Sequence, residues 1–142
     1  MEDKKWNLIA IEDEDGSKRL YRFFENATSG INKNEFTESI SIYWQFADDG
    51  FPDNEVSEVL KVFEEFMEPL DDSQNNSFVT FVYTGYGKRE WCYQAKDYAL
   101  FMDQLNDALA EKPMFPIEIE HSPDPEWEYY SGIKEMLTEE NT

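Results

Sequence analysis

Across residues 38–47 every second side chain is large and apolar: Ile40, Ile42, Trp44 and Phe46 alternate with Ser39, Ser41, Tyr43 and Gln45. A period of two marks a strand with one dry face and one wet face, because successive strand side chains point to opposite sides. At Asp48-Asp49-Gly50-Phe51-Pro52-Asp53 the pattern breaks, and a different period follows. Val56, Val59, Leu60, Phe63, Phe66, Met67 and Leu70 fall at helical spacing with Glu55, Glu58, Glu64, Glu65 and Glu68 between them, which predicts an amphipathic helix with an acidic outer face. Asp53 or Asn54 is placed to cap it, since a side-chain oxygen there accepts from first-turn amides that have no helical partner. Pro69 and the polar residues 71–76 end it.

The rest of the chain continues in the same manner. Residues 78–84 and 88–95 predict a hairpin across Gly85-Tyr86-Gly87, and Phe78-Val79-Thr80-Phe81-Val82-Tyr83 is apolar on both faces, as an interior strand is. Tyr98, Phe101, Met102, Leu105, Ala108 and Leu109 form one stripe of a second helix over residues 97–111, stopped by Pro113. Phe115, Ile117 and Ile119 alternate with Pro116, Glu118 and Glu120 in a last strand, and a short helix follows over residues 127–137. Ahead of all this, residues 6–11 and 19–24 predict an N-terminal hairpin across Glu12-Asp13-Glu14-Asp15-Gly16-Ser17, followed by a polar connection over residues 26–34. The order after that hairpin is strand, helix, strand, strand, helix, strand. The expected class is α+β: an antiparallel sheet with two main helices on one face, in the ferredoxin-like βαββαβ order, extended by the N-terminal hairpin. Residues 1–137 form one domain on this reading, and residues 138–142 a frayed polar end.

Charge sets what such a domain can meet. The chain has 32 Asp and Glu against 12 Lys and Arg, a net charge of −20, yet 16% of its residues are aromatic. Disordered acidic segments lack that aromatic content, so the acids belong to the surface of a folded domain. They are spread evenly: 17 acids against 7 bases in residues 1–70 and 15 against 5 in residues 71–142, so each half carries −10. A surface of this sign repels nucleic acid and anionic membrane and speeds encounter with a basic protein. No apolar run approaches the roughly 20 residues needed to span a bilayer. The opening Met-Glu-Asp-Lys-Lys-Trp lacks the apolar core of a signal peptide, which predicts a cytoplasmic location.

Catalytic motifs are not in evidence. Cys92 is the one cysteine and His121 the one histidine, so a thiolate or histidine metal cluster cannot be assembled, and a Cys–His pair would need these two to meet in space. Cys92, among aromatic neighbours in a strand, reads as a small buried apolar residue. Gly85-Tyr86-Gly87-Lys88 joins two strands and lacks the spacing of a phosphate loop. Asp13-Glu14-Asp15-Gly16 and Asp48-Asp49-Gly50 lack the alternate ligands and twelfth-position Glu of a calcium loop. No cofactor and no resident metal are expected, and a non-enzymatic role is favoured.

Two segments carry more than composition. Thr84-Gly85-Tyr86-Gly87-Lys88-Arg89-Glu90-Trp91-Cys92-Tyr93 and Asp124-Pro125-Glu126-Trp127-Glu128-Tyr129-Tyr130 together resemble the bacterial family known as domain of unknown function 695. Its members combine a Gly, basic, basic or polar, acidic, aromatic run in a hairpin with Asp-Pro-x-Trp-x-x-Tyr near the C-terminus. Asp49-Gly50-Phe51-Pro52 is similar to the Asp-Gly-Leu-Pro of the family. The resemblance implies an α+β domain and brings no activity with it. Bottom-up, Asp124 reads as the cap of a helix beginning at Pro125, with Trp127 and Tyr130 clamping it onto the sheet. Arg89 reads as the partner of a carboxylate, with an anionic ligand as the alternative.

Three functional classes remain open. The first is an acidic inhibitor or regulator of a basic protein, such as an immunity protein for a nuclease toxin or a ribonuclease regulator, in which carboxylates occupy the partner's Lys and Arg. The second is a small-molecule enzyme with a cleft carboxylate, and the third a housekeeping domain whose charge serves solubility. For the first, the candidate contact residues are Asp48, Asp49, Asp53, Glu55 and Glu58 around the first helix, or Glu118, Glu120, Asp124, Glu126 and Glu128 toward the C-terminus. The sequence leaves the oligomeric state open.

Overall fold

A computed structural model describes residues 6–24 and 30–140 of the chain. Part of the polar connection over 26–34 and the last two positions of the polar end lie outside the described residues. The elements are β1 (Trp6–Glu12), β2 (Lys18–Phe24), β3 (Glu38–Gln45), α1 (Asn54–Met67), β4 (Ser77–Gly85), β5 (Lys88–Ala95), α2 (Tyr98–Leu109), β6 (Ile117–Pro123) and α3 (Glu128–Glu140). Short 3-10 turns at Lys33–Glu35 and Glu68–Leu70 join them. The protein is α+β, with one six-stranded sheet in the order β1-β2-β4-β5-β3-β6 and every neighbouring pair antiparallel.

The alternation along β3 sorts the two faces. Ile40, Ile42 and Trp44 join Leu60, Phe63 and Met67 of α1 and Phe101 and Leu105 of α2 in one hydrophobic cluster. On the other face, Tyr21, Phe23, Phe78, Phe81, Tyr83 and Cys92 form a second cluster with Tyr130 and Leu137 of α3. Strand β4 is buried along its whole length because it supplies both clusters. It does so around a bulge at Thr80, where the register with β5 shifts between Val79 and Phe81. The Thr80 hydroxyl, itself fully buried, donates to the Cys92 carbonyl at 3.1 Å.

Capping follows the sequence at the first helix, is supplied by Asp97 at the second, and departs from the sequence at the third. Asp53 accepts from Val56 N at 2.8 Å at the start of α1, and Asp97 accepts from Leu100 N at 3.0 Å at the start of α2. Helix α3 begins at Glu128, not at Pro125, because Trp127 takes a left-handed backbone (φ 58°) that cannot belong to a helix. The Asp124 carboxylate still caps it, from a longer approach, accepting from Glu128 N at 2.8 Å and Tyr129 N at 3.1 Å. Helix α3 then runs through Glu140, past the Leu137 at which the sequence pattern stops.

The β4–β5 turn places Tyr86 and Gly87 both at positive φ (49° and 78°), the geometry whose twist suits a two-residue hairpin. Gly87 has a second constraint. A Cβ there would stand 2.3 Å from the Ala47 carbonyl oxygen. The close approach is used: Gly87 O accepts from Phe46 N at 2.8 Å and Ala47 N at 3.1 Å, and Gly87 N donates to Gly50 O at 2.8 Å. Those bonds end β3 at Gln45 and bind the Asp48–Gly50 loop to the hairpin tip.

Candidate functional site

Helix α3 covers the aromatic side of β2, β4 and β5 and leaves the same face of β3 and β6 open. The alternation that buries Ile40, Ile42 and Trp44 turns Ser39, Ser41 and Tyr43 toward that open side. The result is a cleft of about 720 Å³ with Ser39, Ser41 and Tyr43 as its floor, Glu120 and Ser122 on the β6 wall, and Glu128 and Tyr129 on the α3 wall.

Beneath Tyr129 lies Glu90, the one acid inside the apolar part of β5. Cross-strand register sets it in a row, Tyr21–Tyr83–Glu90–Tyr43–Glu118, running from β2 to β6. Glu90 is 5% exposed. Its Oε2 accepts from Ser41 Oγ at 2.9 Å and from the Tyr129 hydroxyl at 2.6 Å. It lines not that cleft but a smaller pocket of about 210 Å³, shared with Arg19, Tyr21, Tyr83, Lys88 and Tyr129.

The phenols around Glu90 are poor proton donors to solvent. Burial, followed by the charge of Glu90, pushes the Tyr43 phenol up to about 12. Burial and then the Tyr21 phenol push Tyr83 up to about 12. The Tyr129 phenol is driven higher, first by burial, then by the Glu90 charge and the hydrogen bond it donates there. These hydroxyls keep their protons at physiological pH, so they act as hydrogen-bond groups and not as nucleophiles.

The nominated acids divide between the cleft and the outer surface. Asp48, Asp49, Asp53, Glu55 and Glu58 are all exposed, on the loop after β3 and the first turns of α1, outside the cleft. Glu118, Glu120, Glu126 and Glu128 are exposed as well, and Glu120 and Glu128 face each other across the cleft. Asp124 differs. It is 8% exposed and both its oxygens are engaged by α3 amides, so its role is the helix cap.

Cys92 and His121 do not form a pair. Cys92 is buried on the α3 side, where burial raises its thiol to about 12. His121 is on the other face, stacked on Tyr98 (centroids 3.8 Å apart, planes at 5°) with Nε2 2.8 Å from Glu38 Oε1. Among the described residues no group of three or more His, Cys, Asp or Glu side chains is placed to hold a metal ion, and no helix is long and apolar enough to cross a membrane.

Both sequence motifs resolve into contacts. Gly87 fits the hairpin tip. Arg89 Nη1 and Trp91 Nε1 each donate to Glu64 Oε1 at 3.1 Å, and Arg22 Nη2 joins them at 3.2 Å. Arg89 Nε donates to Thr84 Oγ1 at 2.8 Å, so the arginine is held in an ion-pair network at the α1 face. In the second motif Trp127 is fully buried, its Nε1 donating to the Phe36 carbonyl at 2.8 Å. The Tyr130 hydroxyl donates to the Phe24 carbonyl at 2.8 Å, and its ring stacks on Phe23 with centroids 5.1 Å apart.

Sequence reasoning quoted Glu90 and Tyr129 inside these motifs without assigning them to a site. The available signal was one acid, Glu90, directly before the Trp91-Cys92-Tyr93 run of a strand that is otherwise buried. Comparison of the sequence with curated proteins gives no match. The model of a family of unknown function, DUF695, matches residues 4–133, which span both motifs and all the elements around the cleft, and the chain belongs to that family.

Proposed function

We propose that this protein is a non-enzymatic acidic binding protein that inhibits or regulates a basic protein partner, such as a nuclease toxin or a ribonuclease. One observation carries the reading. Asp48, Asp49, Asp53, Glu55, Glu58, Glu118, Glu120, Glu126 and Glu128 are exposed, and none forms an ion pair with a Lys, Arg or His among the described residues. An uncompensated field of one sign raises the rate of encounter with an oppositely charged surface and disfavours nucleic acid. The reading includes a cytoplasmic location in a bacterial cell. It also takes the β3–β6 portion as a ferredoxin-like βαββαβ unit with α1 and α2 on one face. The spatial order β6-β3-β5-β4 and the shared cluster of α1 and α2 residues support that.

The test is kinetic. With a purified partner, replacing Glu118, Glu120, Glu126 and Glu128 by Lys is expected to slow association steeply and flatten its salt dependence while the fold is kept. Equal slowing from four scattered surface reversals would contradict a defined contact face.

The smaller pocket beside Glu90 favours a second reading, a small-molecule enzyme with Glu90 as its carboxylate. Phenols that keep their protons support binding over proton abstraction, which places this reading behind the first. Turnover of any small molecule that is abolished by Glu90→Gln would reverse that order.

A further inference from the structure

The α1 face of the sheet holds two polar groups that the fold leaves unused. Arg22 of β2 stands in register with Val82 of β4, and Val82 with Trp91 of β5. The Arg22 Nη2 is bound to Glu64 at 3.2 Å, and the guanidinium lies over the Trp6 ring, 5.5 Å from its centroid. Its Nε is different: among the described residues it is the one fully closed-off side-chain nitrogen or oxygen without a hydrogen-bond partner. Tyr93 of β5 is 2% exposed, and its hydroxyl has no hydrogen-bond partner among the described residues either. The charges that act on this phenol are those of Asp71, Glu64 and Arg22, so its hydroxyl end points to the groove that all three line with it. A buried polar group left unpaired costs stability, and phenylalanine in place of Tyr93 would fill the core without that cost.

The groove has a volume of about 350 Å³. That is just above the roughly 300 Å³ at which small-molecule pockets begin. Its base is apolar: Val79, Val82 and the ring of Trp91, whose Nε1 is already given to Glu64. Both unused groups can donate, and the Arg22 Nε can only donate. The Arg22 side chain as a whole is 38% exposed, so a rotation about its outer bonds presents Nε to the groove. An occupant has to bring an acceptor. Charge decides which kind. Along α1 and the turn after it, Glu64, Glu65 and Glu68 outnumber the cations Lys61 and Arg22, and Glu64 already holds Arg22 and Arg89. An anion would meet a wall of its own sign, and a cation would leave both donors unanswered. A neutral carbonyl oxygen, with two lone pairs, answers both without bringing a charge out of water.

We propose that the groove between α1 and the β2–β4–β5 surface binds a small neutral molecule with an apolar body and a carbonyl oxygen, the body seated on Val79, Val82 and Trp91 and the oxygen accepting from Tyr93 and Arg22. The site goes beyond the basic-partner reading and does not rest on it, since none of the acids nominated for partner contact lines the groove.

The test is a nuclear magnetic resonance titration of the full-length ¹⁵N-labelled protein at constant ionic strength. The probes are N,N-dimethylbenzamide, benzoate and toluene, which share a ring and differ in what it carries: a neutral carbonyl, a charged carboxylate, or no acceptor. The expected result with the amide is saturable shift changes confined to β2, β4, β5 and the second half of α1, with affinity at least about fivefold lower for toluene, for benzoate, and for the amide on Tyr93→Phe. Toluene is expected to bind Tyr93→Phe as it binds the unaltered protein, which sets the lost carbonyl contact apart from a change in packing. Arg22→Lys keeps the charge, removes the Nε donor and is expected to weaken the amide in the same way. Should Tyr93→Phe fail to fold, Arg22→Lys carries the comparison. Toluene or benzoate binding as tightly as the amide, an amide affinity that ignores both substitutions, shifts centred elsewhere, or no saturable shift up to the solubility limit of the amide would overturn the site.

Discussion

Tyr129, on the first turn of α3, donates its phenolic proton to Glu90 on β5 at 2.6 Å, the one side-chain bond by which the helix reaches the acid beneath the cleft. It ties the wall of the cleft to a buried charge. A hydrogen bond to a charged acceptor contributes about 1.5–3 kcal/mol, and its loss leaves Glu90 with Ser41 as its single donor. Tyr129→Phe is therefore expected to lower stability by about 1–2 kcal/mol, since the phenol is partly exposed. Urea denaturation of the two proteins measures it.

The same phenols give the fold an alkaline limit. Tyr21, Tyr43, Tyr83 and Tyr129 all have folded values above the ordinary tyrosine value of 10.0, with burial as the first cause in each. A raised folded value means that the native state holds protons the unfolded chain has released. Their contribution is full below pH 10 and is lost as pH rises beyond it toward the folded values. The urea midpoint is expected to fall between neutral pH and about pH 11, with the tyrosinate absorbance of these four appearing as the protein unfolds. Four tyrosines that titrate freely near 10 in the native protein would contradict the packing of the row.

Gly87 and Gly16 separate steric approach from backbone conformation. Both have positive φ, 78° and 86°, but a Cβ at Gly16 meets nothing within 4 Å whereas one at Gly87 meets the Ala47 carbonyl at 2.3 Å. Gly16→Ala is expected to cost about 1 kcal/mol, the left-handed penalty alone, and Gly87→Ala clearly more than about 2 kcal/mol. Thermal unfolding of the pair tests the difference.

Glu64 gathers Arg22, Arg89 and Trp91 on one oxygen at the α1 face. Glu64→Ala leaves three donors without their acceptor and is expected to cost about 2–3 kcal/mol, discounted for partial exposure of the cluster. Glu64→Gln keeps an acceptor oxygen and should cost less. Equal losses would show that charge, not hydrogen bonding, holds the cluster.

Cys92 is 1% exposed and its thiol is raised to about 12 by burial. Native protein is expected to resist a thiol reagent at neutral pH and to react fully in denaturant. Rapid native labelling would place the thiol nearer solvent than the sheet allows.

The sequence patterns that carried information about the fold were local ones. Ile40, Ile42 and Trp44 announce their face by alternation, and Phe63, Met67, Phe101 and Leu105 announce theirs by helical spacing. The bulge at Thr80 was not legible, because β4 is apolar on both sides and a shift of parity leaves no mark in such a run. Nor was the start of α3, since the left-handed backbone at Trp127 accompanies the burial of its ring beneath residues far away in sequence. The setting of Glu90 was hidden for a related reason. Ser41, Glu90 and Tyr129 belong to three elements, and only the register of β3 on β5 and the seating of α3 bring them together. Asp124 was legible as a cap, but the helix it caps begins at Glu128, three residues beyond Pro125.

The central claim is that exposed, unpaired acids capture a basic protein. Its most direct test is affinity purification of the tagged chain from its native cells at low and then moderate salt, run beside a bait carrying Lys at positions 118, 120, 126 and 128. The account predicts one stoichiometric basic protein on the unaltered bait, released as salt rises and not retained by the reversed bait. An empty unaltered bait, or a partner held equally by both, would contradict it.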